Sequence, residues 1–314
     1  MKVLCVTPNV AVDRILRVPA FCDGGVWRAA EVLTACGGKG INVGRALLRL
    51  KAQPICAGIL AGHGGRLAAV LAEAERLPAH WTWVEGETRT SMIVVGDHGR
   101  TTVVNEPGPK IDADGWARFV ADVAALATAA ETVCISGSLP PGCPRQGLTA
   151  LIAAASGDGR PVWVDTSGPA LAEAIAAVPF GIKVNAEEAA VLLGRPVASP
   201  VAAASAAALI RARGVDEVAI TLGEQGGVLV NAAGTWHAMP PPIRTVSAVG
   251  SGDCFLAGLL AGRKDDRSGE ASIAGLRLAV ACGAANAQDI AVAPPTLGTL
   301  ETCLAAVIVR SFGN

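Results

Sequence analysis

Apolar runs of five to seven residues alternate along this chain with longer stretches whose apolar positions recur every three or four residues. The runs KVLCVT (2–7), PICAGIL (54–60), TVCISGS (132–138), PVWVDTS (161–167), GIKVN (181–185) and EVAITLG (217–223) are nearly continuous in apolar character. That is the pattern of strands covered on two faces. Between them INVGRALLRL, GRLAAVLAEAER, DGWARFVADVAALATA, QGLTALIAAA, GPALAEAIAA and SPVAAASAAALIRARG carry helical periodicity. The repeated strand–helix order predicts an α/β fold with a mostly parallel sheet between helical layers. Ligands in such sheets gather beyond the carboxyl ends of the strands.

Two segments depart from this rhythm. Residues 11–34 and 88–105 alternate polar and apolar positions, and DHG supplies turn chemistry in the second. They are expected to form hairpins, either at sheet edges or as a small β-lid over the strand ends that excludes water from a reacting group. No linker, repeat or low-complexity tract divides the chain, so residues 1–314 are expected to form one domain carrying these inserted hairpins.

With 51% apolar and 17% charged residues, a large buried core is available. A net charge of −1 without a basic run argues against nucleic-acid binding, so any bound anion has to be met locally. Nine dispersed cysteines without a CxxC pair are expected to be reduced core thiols of a cytoplasmic protein. MKVLCVTPNV reads as a first strand rather than a leader, and no apolar stretch reaches membrane-spanning length.

The candidate chemistry collects where strands should end. Asn9 and Asp13 follow the first strand, and Gly37, Gly38, Lys39, Gly40 and Asn42 open a helix after the first hairpin. Consecutive glycines let a polyol approach the backbone, though a plain Gly-rich turn reads equally well. Ser136, Gly137 and Ser138 suit phosphate or sugar oxygens, or simply a turn ended by proline. Glu188, three residues after Asn185, is either a capping residue or an indirect holder of hydrated Mg²⁺. TLGEQGG, with Thr221, Gly223 and Gly226, is open enough for a nucleotide to lie against it. Gly250, Ser251, Gly252 and Asp253 precede a small-residue apolar helix, a setting suited to an anion. Asp253 is there either as an N-cap or as a reacting carboxylate. Arg28 and Arg89, one on each hairpin, are solvated or together clamp a phosphate. The histidines show no metal-ligand spacing, and no GxxxxGK[ST] or GxGxxG loop is present.

CGGKGIN at 36–42 and GSGDCFLAG at 250–258, in this order and about 210 residues apart, resemble the two motifs of the PfkB, or ribokinase-like, sugar kinases. TRT, SGSLP, DTSG, IKxN-x-x-E and TLGEQG fall between them in the family's order. TPNVAVD, NEPGP, SGSLPPG and VDTSGPAL are similar to the subgroup acting on sugar phosphates, the 1-phosphofructokinases and tagatose-6-phosphate kinases. The chain departs from the family at Val10, Trp27, Val184 and Ser251.

The resemblance implies a three-layer ribokinase-like α/β/α fold with a β-lid, a cytoplasmic homodimer joined through the lid, and use of ATP and Mg²⁺. It implies Asp253 as general base, with Gly250, Ser251 and Gly252 as the anion cradle. Asp13, Gly38 and Asn42 would hold sugar hydroxyls, while Arg28, Arg89, Ser138 and Lys39 would hold the sugar's existing phosphate. Asn185, Thr221, Gly223, Gly226 and Gly252 would line the ATP site, with Glu188 reaching Mg²⁺ through water. The expected reaction converts fructose 1-phosphate to fructose 1,6-bisphosphate. Tagatose 6-phosphate and fructose 6-phosphate are the alternative substrates, and a non-catalytic sugar-phosphate or nucleotide sensor is the alternative of another class.

Overall fold

The first strand, β1 (Lys2–Thr7), is buried from its second residue onward because parallel neighbours flank it on both sides. A computed structural model describes residues 1–22, 24–263, 268–293 and 296–312. β1 leads into β2 (Ala11–Arg17), β3 (Glu31–Gly37), α1 (Lys39–Arg49), β4 (Gln53–Ala61), α2 (Gly62–Ala74), β5 (Ala79–Val84), β6 (Arg89–Val95) and β7 (Thr101–Asn105). The middle of the chain forms α3 (Ala113–Ala127), β8 (Thr132–Ser136), α4 (Gly147–Ala155), β9 (Val162–Asp165), α5 (Pro169–Ala176), β10 (Gly181–Asn185), α6 (Ala186–Leu193) and α7 (Pro200–Arg211). The last part comprises β11 (Glu217–Thr221), β12 (Gly227–Asn231), β13 (Gly234–Met239), α8 (Ser251–Arg263), α9 (Gly269–Asn286), α10 (Leu297–Ala306) and β14 (Ile308–Ser311).

Ten strands form one sheet in the order β14-β13-β12-β11-β10-β9-β8-β1-β4-β5. The seven from β11 to β5 are parallel to one another, and β12, β13 and β14 continue it antiparallel. Helices cover both faces, giving two apolar layers. One joins α1, α8 and α9 to the sheet; the other joins α3, α4, α5 and α7. This is the expected three-layer α/β fold. Because the seven strands run one way, Thr7, Ser136, Asp165, Asn185 and Thr221 all end on the same edge.

Residues 11–37 and 89–105 pair into a second sheet, β3-β2-β6-β7, in which β2 and β6 are parallel. Its inner face carries Ile15, Ile93 and Val95, packed on Ile290 and the segment around Val246 and Val249. The sheet therefore closes over the strand ends and rests on the chain just before α8.

The sequence reading did not anticipate β5, β13 or β14. β5 and β14 are edge strands with one side uncovered, so they lack the continuous apolar signature. The nine cysteines are unpaired; seven are buried, Cys143 is half-buried and Cys22 is exposed. Burial pushes the thiols of Cys5, Cys56 and Cys254 well above their ordinary range, which suits packing rather than reactivity. No helix among the described residues is long and apolar enough to cross a membrane.

Candidate active site

Gly38 starts the site because α1 must begin beneath the lid without room for a side chain. Its φ of 114° lies where glycine is favoured, and a Cβ there would stand 2.6 Å from the Thr7 methyl. The helix so started presents Lys39 and Asn42 to the strand ends. Lys39 Nζ bonds Asp165 Oδ1 at 2.7 Å and lies 3.8 Å from Glu188 Oε1. Lys183, inside the otherwise apolar strand β10, bonds the other Asp165 oxygen at 2.8 Å. Asp165 is fully buried and Lys183 only 4% exposed. Burial alone would push the Asp165 carboxyl up, but the two ammonium groups, Lys183 foremost, hold it below its ordinary value. The same carboxylate, with Asp253 and Glu188, raises Lys39 against the opposing effect of burial, so Lys39 stays charged.

Asp253 corrects one reading of the sequence. It is the third residue of α8, not its N-cap, and its Oδ2 accepts a 2.7 Å hydrogen bond from Asn42 Nδ2. Only 5% of it is exposed. Burial pushes its carboxyl up to about 6; Asp165 adds to that, while Lys39, Lys183 and the Asn42 bond oppose it. Gly250, at φ 75°, makes the turn into the helix. The Ser251 N–H is not free for an anion, because it bonds the Ala248 carbonyl, while the Ser251 Oγ accepts from Asn286. The Cys254 N–H returns to the Gly250 carbonyl, which leaves Gly252 and Asp253 with N–H groups that helix geometry does not use. A Cβ at Gly252 would lie 2.6 Å from Lys183 Nζ. The bare Gly252 backbone and the Lys183 ammonium thus share one small space, suited to an anion.

A second group sits at the lid's base. Asp13, buried on β2, lies against Gly37, where any side chain would collide with its carboxyl. Burial lifts Asp13 to about 6 against the pull of Arg45 and Arg89. Arg89, half-buried, donates to the Asn9 carbonyl at 3.2 Å, and Asn9 Nδ2 donates to Ser138 Oγ at 3.3 Å. Arg28 does not join them. It is exposed in the connection after β2, beyond the Arg17–Glu31 end of the lid, whereas Arg89 pairs with Ala11 at the opposite end. Six strand residues separate those ends, roughly 20 Å, so the two arginines do not clamp one phosphate within a single chain.

Asn185 and Thr221 are register partners on β10 and β11. Asn185 and Glu188 form a capping box: each side chain accepts from the other's backbone N–H, at 2.7 and 2.9 Å. Gly223 faces open space, whereas a side chain at Gly226 would collide with the Ala238 carbonyl, so Gly226 is there for the turn. Among the described residues no cluster of three His, Cys, Asp or Glu side chains could hold a metal ion. Glu188, with one oxygen in the capping box and one facing Lys39, fits a cation reached through water rather than directly. Lys183 and Arg45 are the residues that the sequence reading missed. A lysine inside GIKVN was the available signal, because a buried lysine requires a partner.

A three-layer α/β fold with a buried carboxylate beside an anion-suited helix start is an arrangement suited to phosphoryl transfer. The profile of the pfkB family carbohydrate kinases matches residues 1–297, and the chain belongs to that family. It is 35% identical to a 1-phosphofructokinase of Xanthomonas campestris pv. campestris, over 85% of either chain. With a 1-phosphofructokinase of Escherichia coli it shares 31% identity, over 98% of this chain and 97% of the relative. Its fold superposes on the tetrameric inhibited form of phosphofructokinase-2 from Escherichia coli with a TM-score of 0.85, at 25% identity over 97% of this chain and 98% of that one.

Proposed function

We propose that the chain transfers the γ-phosphoryl group of ATP to the free primary hydroxyl of a ketohexose monophosphate, and that fructose 1-phosphate, taken at its 6-hydroxyl, is the substrate. The observation that carries the reading is the Asp253 carboxylate, buried and held by Asn42 beside the Gly252–Lys183 cradle. A carboxyl lifted to about 6 is mostly ionised at neutral pH yet accepts a proton more readily than an ordinary aspartate. Relatives named 1-phosphofructokinase at 31–35% identity support the choice of sugar.

Asp253 takes the proton of the attacking hydroxyl as the new oxygen–phosphorus bond forms and the bond from the γ-phosphorus to the bridging oxygen breaks, ADP leaving with that electron pair. The Gly252 and Asp253 N–H groups and the Lys183 ammonium hold the transferring group in line, so positioning and charge do most of the work. Lys39, pinned between Asp165 and Glu188, adds a positive charge on the near side. A hydrated Mg²⁺ accompanying ATP, reached by Glu188 through water, would offset phosphate charge. Asp13 accepts from sugar hydroxyls, and Arg89 with Ser138 meets the phosphate already on the sugar. The lid excludes water.

The test is turnover of a phosphosugar panel with ATP and Mg²⁺, compared by kcat/KM. Fructose 1-phosphate is expected to lead, ahead of fructose 6-phosphate and tagatose 6-phosphate. Arg89→Ala is expected to raise the phosphosugar KM about tenfold or more, as loss of a charge-assisted hydrogen bond does. Equal turnover of unphosphorylated fructose would refute the phosphosugar assignment. Tight binding without turnover would make the protein a sensor.

A second copy of this chain is the proposed partner of the lid. Its outer face, opposite Ile15 and Ile93 by strand alternation, carries Leu16, Val32, Met92, Val94 and Val104, with Met92 46% and Val104 61% exposed. Such a pairing would bury this patch and place Arg28 at the joint. Met92→Lys is expected to halve the mass seen in sedimentation; an unchanged mass would locate any joint elsewhere.

A further inference from the structure

Arg45, one turn beyond Asn42 on α1, places four directed hydrogen bonds from one guanidinium. Its Nη1 donates to Asn42 Oδ1 at 2.8 Å, Nη2 to the Cys36 carbonyl at 2.6 Å and to Glu75 Oε1 at 2.9 Å, and Nε to Glu75 Oε2. A guanidinium only donates and a carboxylate only accepts. Asn42 stands between one of each, and a single orientation of its amide satisfies both: oxygen to Arg45, nitrogen to Asp253. Asn42 is itself buried, so an amide turned the other way finds no water to correct the mismatch.

We propose that Arg45, anchored by Glu75, is a positioning residue for phosphoryl transfer, setting which end of the Asn42 amide meets Asp253. The inference rests on the reading of Asp253 as the base. The charged groups facing Asp253 are Asp165 at the end of β9, Lys39 on α1 and Lys183 on β10, with Glu188 of α6 behind Lys39. Arg45 stands behind the amide; its charge acts on Asp13, Cys36, Cys56 and Cys254, and its hydrogen-bonded route to Asp253 runs through Asn42. Without Arg45 the amide is free to turn its oxygen towards the carboxylate. That removes a bond favouring the ionised form and adds a repulsion opposing it. The acid limb of activity must then move to higher pH.

The experiment is the pH profile of kcat/KM for the parent, Arg45→Met, Asn42→Ala and the double variant, with Asp253→Asn alongside. The parent's acid limb is expected near pH 6. Arg45→Met is expected to move it up by about half a unit or more. In the Asn42→Ala background Arg45→Met is expected to add nothing, because no amide remains to orient. An unmoved limb in Arg45→Met, or an equal shift in the Asn42→Ala background, overturns the inference. Should Arg45→Met fail to fold, Glu75→Ala, which releases the guanidinium from its half-exposed anchor, is expected to move the limb the same way, and an unmoved limb there overturns it equally. An inactive Asp253→Asn with an unmoved Arg45 limb removes this inference alone, whereas an active Asp253→Asn removes the base as well.

Discussion

Asp253→Asn is expected to fold and to lose about 10²–10⁴ in kcat at neutral pH, the usual worth of a positioned base. The amide keeps the shape of the carboxyl and still offers Asn42 Nδ2 an oxygen to bond, so packing around α8 is preserved. Stability should rise at neutral pH rather than fall. A carboxyl whose folded value is lifted above its unfolded one favours the fold at low pH and loses that contribution as pH climbs towards about 6. Removing the charge removes the loss. Near-parental turnover, in a variant shown by its melting temperature to be folded, would strip Asp253 of the role.

Asp165→Ala is expected to lower unfolding free energy by about 3–5 kcal/mol in urea titrations, the range seen when one partner of a buried ion pair is removed. The cost comes from what stays behind. Lys183, 4% exposed, is left with a charge and without its carboxylate, whereas the Lys39 side chain is 36% exposed and regains water. The double variant Asp165→Leu/Lys183→Met is expected to recover most of the stability, because the uncompensated charge is gone, while remaining inactive. A loss below about 1 kcal/mol in Asp165→Ala would mean that the buried ammonium has found another partner. Because the Asp165 carboxyl titrates below its ordinary value, its contribution is present throughout the neutral range and is lost only as pH falls through that depressed value.

Each feature was legible in the chain to the extent that its signal was local. The run KVLCVT declared β1 to the residue, and the glycines before INVGRALLRL announced a helix that the structure starts two residues earlier, at Lys39, because continuous apolarity and glycine act within a few residues. Asp253 was marked as functional by its neighbours, but whether it capped α8 or faced Asn42 depended on a partner 211 residues away. Arg28 and Arg89 looked like a pair because both are cationic and both lie on hairpins. The register of β2 on β6 separated them. Lys183 carried a readable anomaly, a cation inside an apolar strand, yet its partner Asp165 lay at the end of the neighbouring strand, across the α5 crossover.

The amino-acid order alone determined the alternation of strands and helices, the edge of the sheet where the polar residues would gather and the family to which the chain belongs. Those properties arise from periodicity, backbone freedom and short contiguous motifs. Only the tertiary structure decided which charges share a burial site: Lys39 and Lys183 on one carboxylate, Arg45 behind Asn42, and Arg28 outside the pocket. Charge pairing in a buried space is set by strand order and helix orientation, and contacts between segments far apart in the chain leave no local trace in either segment.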